Sequence, residues 1–195
     1  GMPVVMFDRV TNDVLCDKVI IDDQLAAYEA VDYLIKGGFK RIALVTTVDY
    51  VSVGKLRTDG YANAMYDHDI KVDEDLIVKI EDIENCASKI EALLKEQKPD
   101  AIFAVNELFA VTSIKLATKM GIKVPDELSV IGFTDGIISQ YSTPSITTVS
   151  QNGIKMGGRA AQLLIDRLEM EEENEQYTTE LIETHLVERE STATL

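Results

Sequence analysis

The stretch Pro99–Glu107, PDAIFAVNE in one-letter code, decides the fold. Its centre, Ala101–Val105, is a continuous apolar run, which is typical of a parallel strand that is covered on both faces. Two polar residues, Asn106 and Glu107, follow the run directly. Nearly continuous apolar runs recur around residues 41–45 and 128–133, and polar residues follow those as well. The pattern predicts a buried sheet with polar groups at the ends of its strands.

Working outward from this stretch, strand-like runs alternate with helical patterns. Further strands are predicted at 4–7, 19–21, 76–80, 147–149 and 181–187. Apolar residues at helical spacing lie between them, as in Ala27, Ala30, Val31 and Leu34, where Asp23 is a candidate N-cap. Repeated strand–helix units indicate βαβ crossovers. The sequence therefore predicts an α/β fold with a doubly wound parallel sheet and helices on both faces.

Composition excludes several classes of function. The 195 residues carry 19 Lys and Arg against 34 Asp and Glu, a net charge of −15. Duplex DNA repels such a surface, so this chain is not expected to bind nucleic acid itself. No apolar run is long enough to span a bilayer, and no charged leader opens the chain. Cys16 and Cys86 have no metal-site spacing and are expected to be reduced thiols. We expect a cytoplasmic protein without membrane contact.

Polar side chains at the carboxyl ends of the predicted strands are the candidate ligand-binding residues, because open α/β sheets bind ligands there. They are Asp8, Arg9, Arg57, Asn106, Thr134 and Asp135. Carboxylates, amides and a guanidinium suit the hydroxyls of a sugar or the edge of a purine.

Simpler interpretations of two of these residues stay open. Asn106 could serve only as the N-cap of a helix beginning near Glu107. Arg57 could form only a surface ion pair with Asp59 or Asp67 on its own helix.

Enzyme signatures are missing from the sequence. It contains no GxSxG elbow, no phosphate-binding loop and no GxGxxG after a strand. His68 and His185 have no neighbouring nucleophile or second metal ligand in the sequence. We predict that the chain is not an enzyme and that it uses neither a cofactor nor a metal.

Eight segments, in the right order and over nearly the whole chain, resemble motifs of the LacI/GalR transcriptional regulators. They are Pro3–Arg9 (PVVMFDR), Leu34–Ala43 (LIKGGFKRIA), Arg57–Tyr61 (RTDGY), Pro99–Glu107 (PDAIFAVNE), Val124–Phe133 (VPDELSVIGF), Pro144–Gln151 (PSITTVSQ), Met156–Leu164 (MGGRAAQLL) and Leu186–Thr192 (LVEREST). Two residues depart from the family pattern. Glu107 replaces an Asp, and Thr134 stands where the first Asp of GFDD is expected.

The resemblance implies a type I periplasmic-binding-protein-like fold of two α/β lobes, a sugar or nucleoside-like effector and a homodimer. It also implies an N-terminal helix-turn-helix, absent from this chain, that contacts operator DNA. By motif, Asp8 and Gln151 would contact the effector from the N-terminal lobe. Arg57, Asn106 and the 134–135 turn would contact it from the C-terminal lobe.

The same resemblance gives an expected division of the chain. Residues 23–149 with 177–195 would form a nearly complete C-terminal lobe, and residues 1–22 with 150–176 a partial N-terminal lobe. Unpaired strand edges in the partial lobe would favour self-association.

We therefore expect the effector-sensing and dimerisation domain of a LacI-type regulator, a repressor that responds to a sugar or related metabolite. The alternative is a periplasmic sugar-binding protein of a transport system, which the missing leader and the closing LVEREST segment disfavour. A small α/β enzyme is the other alternative, and the lack of a nucleophile–base set disfavours it.

Overall fold

The computed structural model describes residues 2–48, 52–170 and 176–193, and the chain divides into two compact units. The first unit contains the residues up to Asp22 together with Gln151–Thr184, and the second contains Asp23–Ser150 and the residues from His185 onward. The chain therefore passes between the units three times.

The described part of the chain contains nine strands and six α-helices. The strands are β1 (Val5–Phe7), β2 (Asp17–Ile20), β3 (Ile42–Thr47), β4 (Ile77–Ile80), β5 (Ala101–Ala104), β6 (Ser129–Phe133), β7 (Thr147–Ser150), β8 (Thr179–Leu181) and β9 (His185–Val187). The helices are α1 (Asp23–Lys36), α2 (Ser52–Asp67), α3 (Cys86–Glu96), α4 (Glu107–Lys119), α5 (Ile137–Tyr141) and α6 (Gly153–Glu169).

The second unit is built on a six-stranded sheet in the order β4-β3-β5-β6-β7-β9. All neighbouring strands are parallel except β9, which runs antiparallel to β7. The predicted apolar runs are its central strands, in which Leu44, Phe103 and Ile131 are fully buried. Helices α1 and α2 pack together, as do α3 and α4, and each pair contacts the sheet. The predicted α/β fold with a mainly parallel sheet is confirmed.

The RTDGY segment, residues 57–61, packs α2 against α1 and β3. A Cβ at Gly60 would lie 2.3 Å from the carbonyl oxygen of Gln24, so only glycine permits α1 and α2 to approach this closely. Tyr61 is fully buried, and its hydroxyl donates a hydrogen bond to the carbonyl oxygen of Ile42 at 2.8 Å. Burial raises the pKa of the Tyr61 phenol. These contacts fix α2 on β3 and so determine where Arg57, one turn earlier, points.

The first unit is a three-stranded parallel sheet in the order β1-β2-β8, with α6 packed against β1 and β2. A buried carboxylate, Asp17, joins its parts. It accepts hydrogen bonds from Arg167 of α6 at 2.6 and 3.0 Å, and from the backbone amide of Thr178 at 2.8 Å. Arg167 also lies over the ring of Tyr177, with its guanidinium carbon 4.9 Å from the centroid.

Within the described residues, no helix combines the length and apolarity needed to cross a bilayer.

The last part of the chain differs from the sequence prediction. The single strand predicted at 181–187 is two strands, β8 and β9, which belong to different sheets. Strand β8 pairs with β2, so residues 177–184, expected in the C-terminal lobe, lie in the first unit. Both segments are short and β-rich, and sequence alone gave no sign that the chain changes sheets between them.

Replacing Asp17 with Asn tests the ion pair that joins β2, α6 and β8. Removing one partner of a buried pair leaves the other charge uncompensated, so the free energy of unfolding of the first unit is expected to fall by about 3 kcal/mol. Glu180→Gln is the matched control, because the Arg159–Glu180 pair is 40% and 30% exposed and should contribute less than about 1 kcal/mol. Urea unfolding measures both variants, and equal effects would contradict this account.

The effect of Asp17→Asn on the free energy of unfolding should also depend on pH. The hydrogen bond from Arg167 holds the pKa of the Asp17 carboxyl below its usual value of 3.8. A lowered pKa in the folded state stabilises the fold fully above the ordinary Asp value, and the stabilisation disappears as the pH falls through the folded-state pKa. The stability difference between wild type and Asp17→Asn should therefore be constant near neutral pH and shrink below a pH of about 3.8.

Candidate functional site

The carboxyl ends of β5 and β6 meet at the side chain of Arg57. One guanidinium nitrogen of Arg57 donates a hydrogen bond of 2.6 Å to the carbonyl oxygen of Val105, the residue before Asn106. The guanidinium carbon lies 3.5 Å from the ring centroid of Phe133, the residue before Thr134. This is a close cation–π contact. The structure thus brings three of the predicted residues, Arg57, Asn106 and Thr134, to one edge of the sheet.

Arg57 is neutralised by Asp23, at the start of α1. Nε and Nη2 of Arg57 each lie 2.7 Å from Oδ1 of Asp23. The two side chains are 6% and 7% exposed. The simpler interpretation of Arg57 as a surface ion pair with Asp59 or Asp67 is wrong, and Asp59 pairs with Lys55 instead. Because buried charges need partners, this pair is a structural part of the sheet edge as well as a candidate ligand contact.

Asn106 is the N-cap of α4, as its simpler interpretation states. Its side-chain oxygen accepts a hydrogen bond of 2.8 Å from the amide of Phe109. Capping uses the oxygen and leaves the amide nitrogen as the donor with which Asn106 could contact a ligand. The two roles are therefore compatible.

Glu107, the first departure from the family pattern, caps a different helix. Its Oε1 accepts hydrogen bonds from the amides of Gly136 at 2.7 Å and Ser139 at 3.0 Å, at the start of α5. A Cβ at Gly136 would lie 2.5 Å from Oε2 of Glu107. The glycine therefore lets the carboxylate approach the turn that carries Thr134 and Asp135.

Thr134, the second departure, has a left-handed backbone with a φ of +80°. This conformation costs a β-branched residue about 1–2 kcal/mol, so the surroundings must impose it. The backbone amide of Thr134 donates to the carbonyl oxygen of Val149 at 3.0 Å, and the Thr134 carbonyl accepts from the hydroxyl of Thr148 at 3.1 Å. Asp135 forms an ion pair of 2.6 Å with Arg189.

The first unit carries the remaining predicted residues. Asp8 follows β1 with a φ of +62°, and Gln151 follows β7. Nε2 of Gln151 lies 3.4 Å from Oδ1 of Asp8, so the structure brings these two side chains together. Arg9 is exposed.

Carboxylate, amide and guanidinium groups of this kind can exchange hydrogen bonds with hydroxyl groups. Among the described residues, no group of three or more His, Cys, Asp or Glu side chains is placed to hold a metal ion. Sequence analysis missed the contributions of Asp23, Phe133 and Arg189 to this edge. Of these three residues, only Asp23 could be noticed in the sequence, because it stands at the predicted start of a helix. That position predicts a helix cap and not the ion pair with Arg57.

The pairing of Arg57 with Asp23 can be tested by a double-mutant cycle. Arg57→Ala is expected to lower the free energy of unfolding of the second unit by about 3–5 kcal/mol, because it removes the cation that neutralises the buried Asp23 carboxylate. Adding Asp23→Ala should recover part of this loss. Urea unfolding of the two single variants and the double variant measures the coupling, and purely additive effects would show that the pair is unimportant.

Known proteins share this architecture. The family model for periplasmic binding protein-like domains matches residues 31–192. The HTH-type transcriptional regulator MalR of Clostridium butyricum is 36% identical over 173 residues, which cover 88% of this chain and 51% of MalR. The ribose operon repressor of Haemophilus influenzae is 29% identical over 193 residues, which cover 98% of this chain and 58% of the repressor. The chain spans about half the length of the curated relatives that it matches.

A solved structure gives the same result. A LacI family transcriptional regulator from Enterococcus faecium, with bound ribose, superposes with a TM-score of 0.87 at 25% identity. The match covers 99% of this chain and 71% of that chain. The predicted resemblance is confirmed. The chain belongs to the family of periplasmic binding protein-like domains, in the form that LacI-family transcriptional regulators carry.

Proposed function

We propose that this chain is the effector-sensing part of a DNA-binding transcriptional regulator, a repressor that responds to a sugar or a related small metabolite. The observation that carries the proposal is the edge at β5 and β6, where Arg57 is held beside Asn106 and Thr134. The regulator names of the relatives favour this function over a transport protein or an enzyme.

An uncharged polyol is the effector that suits these groups. Arg57 is already paired with Asp23, and Arg189 with Asp135, so both guanidinium groups of this edge have an anionic partner, which disfavours an anionic ligand. The amide of Asn106 and the hydroxyl of Thr134 can exchange hydrogen bonds with sugar hydroxyls. In the first unit, Asp8, Arg9 and Gln151 remain proposed ligand contacts. Because one similar structure holds ribose, ribose is the first effector to test.

DNA binding belongs to another segment of the regulator. The net charge of −15 disfavours direct contact of this chain with DNA. The two curated relatives are named as a transcriptional regulator and an operon repressor, which supports action in the cytoplasm, where operator DNA is reached. The effector would act by preferring one conformation of the regulator, since a ligand shifts such an equilibrium only by its differential affinity.

A second copy of the chain is the proposed partner of α5. Ile137 and Tyr141 lie one turn apart on the same face of this short helix and are 76% and 80% exposed. Leu108 is also partly exposed, and it adjoins Glu107, which caps α5. Neighbouring large apolar side chains on a surface mark an interaction site. A homodimer with twofold symmetry would bury this patch against itself.

Asn106→Asp tests the effector site without disturbing the helix cap. Asp caps a helix as well as Asn does, so the melting temperature of the free protein should stay nearly unchanged. The variant lacks the amide donor and adds a charge, so stabilisation by sugar should be lost. In the intact regulator, a sugar at 100 times its dissociation constant is expected to stabilise the wild type by about 2.7 kcal/mol. A thermal-shift screen of sugars and nucleosides, beginning with ribose, measures both proteins.

Asn85→Asp is the matched control, because Asn85 also precedes a helix, α3, but its side chain makes no cap hydrogen bond. This variant should respond to sugar as the wild type does. If a sugar stabilises Asn106→Asp as strongly as the wild type, Asn106 does not contact the effector. If no sugar or nucleoside stabilises the wild type, the proposed effector class is wrong.

Tyr141→Glu tests the proposed dimer surface. Burying a carboxylate against a second copy is unfavourable, so the intact regulator should shift toward monomer in sedimentation velocity experiments. Tyr66→Glu makes the same change on α2, at a side chain that is 81% exposed, and should leave the dimer intact. If Tyr141→Glu sediments with the same mass as Tyr66→Glu, the dimer interface lies elsewhere.

A further inference from the structure

We infer that Arg189 is a positioning residue of the effector site, and that Asp135 serves as its partner rather than as a ligand contact. This inference rests on the proposed function. Arg189 lies after β9, in the closing LVEREST segment, which sequence analysis used only to identify the family. It belongs to none of the strand ends that carry the other site residues of the second unit.

The side chain of Arg189 bridges two points of the fold. Nη1 donates a hydrogen bond of 2.9 Å to the carbonyl oxygen of Ile146, just before β7. Nη2 donates one of 2.6 Å to Oδ1 of Asp135, in the turn after β6. The side chains of Arg189 and Asp135 are 17% and 21% exposed, so solvent screens this pair less than an ordinary surface ion pair. The planar guanidinium makes the two bonds from two different nitrogens in a fixed geometry, whereas a lysine would have to reach both acceptors from its single nitrogen.

The segment that carries Arg189 is itself firmly anchored. The backbone amide of Arg189 donates to the hydroxyl of Thr147 at 2.8 Å. Ser191 is fully buried, and its hydroxyl accepts from the amide of Thr147 and donates to the carbonyl oxygen of Val130. Thr192 lies 2.7 Å from Thr147, hydroxyl to hydroxyl. Arg189 therefore projects from a segment that is fixed to both β6 and β7.

The turn needs such a fixed partner. Thr134 holds an unfavourable left-handed conformation, so a free chain would relax it. The amides of Gly136 and Ser139, just after the turn, donate hydrogen bonds to Glu107, and these bonds restrain both residues. Asp135 lies between the strained residue and this cap, and its carboxylate is bound to Arg189. Arg189 and Glu107 thus restrain the turn from two different elements.

The consequence concerns how the site recognises its ligand. The carboxylate of Asp135 is bound to Arg189, so at this turn Thr134, whose side chain is neutral, is the residue proposed to meet the effector. Loosening Arg189 would leave the sheet in place but release Thr134 from its left-handed conformation. Effector affinity should then fall without loss of the fold.

Amide hydrogen exchange tests the positioning role without any ligand. In Arg189→Gln, exchange at the amides of Thr134 and Gly136 should rise about tenfold, because the turn opens more often. Exchange at Val105, whose amide bonds to Val45 in the sheet, should stay unchanged. Arg189→Lys keeps the charge but loses the double contact, and an intermediate effect is expected. Unchanged exchange at Thr134 and Gly136 in both variants would overturn the inference.

Ribose titration of the intact regulator is the second measurement. Arg189→Gln and Asp135→Asn should each raise the dissociation constant about tenfold, a typical size for coupling between sites. The double variant should be no weaker than either single variant, because both break the same contact. Arg159→Gln is the matched control, since its ion pair with Glu180 lies in the other unit.

The outcomes separate the two proposals. Faster exchange in the turn with an unchanged dissociation constant would make Arg189 merely structural and overturn its role in the site. If the wild type does not bind ribose, ribose is excluded as the effector, and the exchange comparison alone decides whether Arg189 fixes the turn.

Discussion

The burial of one guanidinium organises the edge of the sheet that carries the candidate site. Arg57 extends from α2 to a carboxylate at the start of α1, a carbonyl at the end of β5 and an aromatic ring at the end of β6. A buried charge of this kind is tolerated only when every contact is in place. The position of α2 on the sheet, which Gly60 and Tyr61 fix, is therefore inseparable from the geometry of the candidate site.

Glu107 and Thr134, the two departures from the family pattern, are linked through the turn between β6 and α5. Glu107 spans from the start of α4 to the start of α5, and Gly136 leaves the space that its carboxylate occupies. Thr134 holds a strained backbone just before that cap, and the Asp135–Arg189 pair lies between the two. Strained residues that are restrained on several sides commonly lie at functional sites. At the candidate site, a neutral hydroxyl thus stands where the family pattern has an anionic side chain.

Much of the fold could be predicted from the sequence, because its signals are local. The apolar runs at β3, β5 and β6 are continuous, and the helical stripes between them are regular. The strands at the end of the chain could not be predicted in the same way. Strands β8 and β9 have three residues each, lie close together in sequence and belong to different sheets. Pairing between distant segments decides such a case, and strand patterning does not contain it.

By itself the sequence determined the α/β architecture, the family and the residues that follow each strand, since these depend on periodicity and on motifs within short segments. Only the tertiary structure decided which of those residues are committed to one another. Arg57 pairs with Asp23, 34 positions away, and Asp135 pairs with Arg189, 54 positions away. A buried charge takes the partner that packing brings within hydrogen-bond distance, and packing depends on the whole fold.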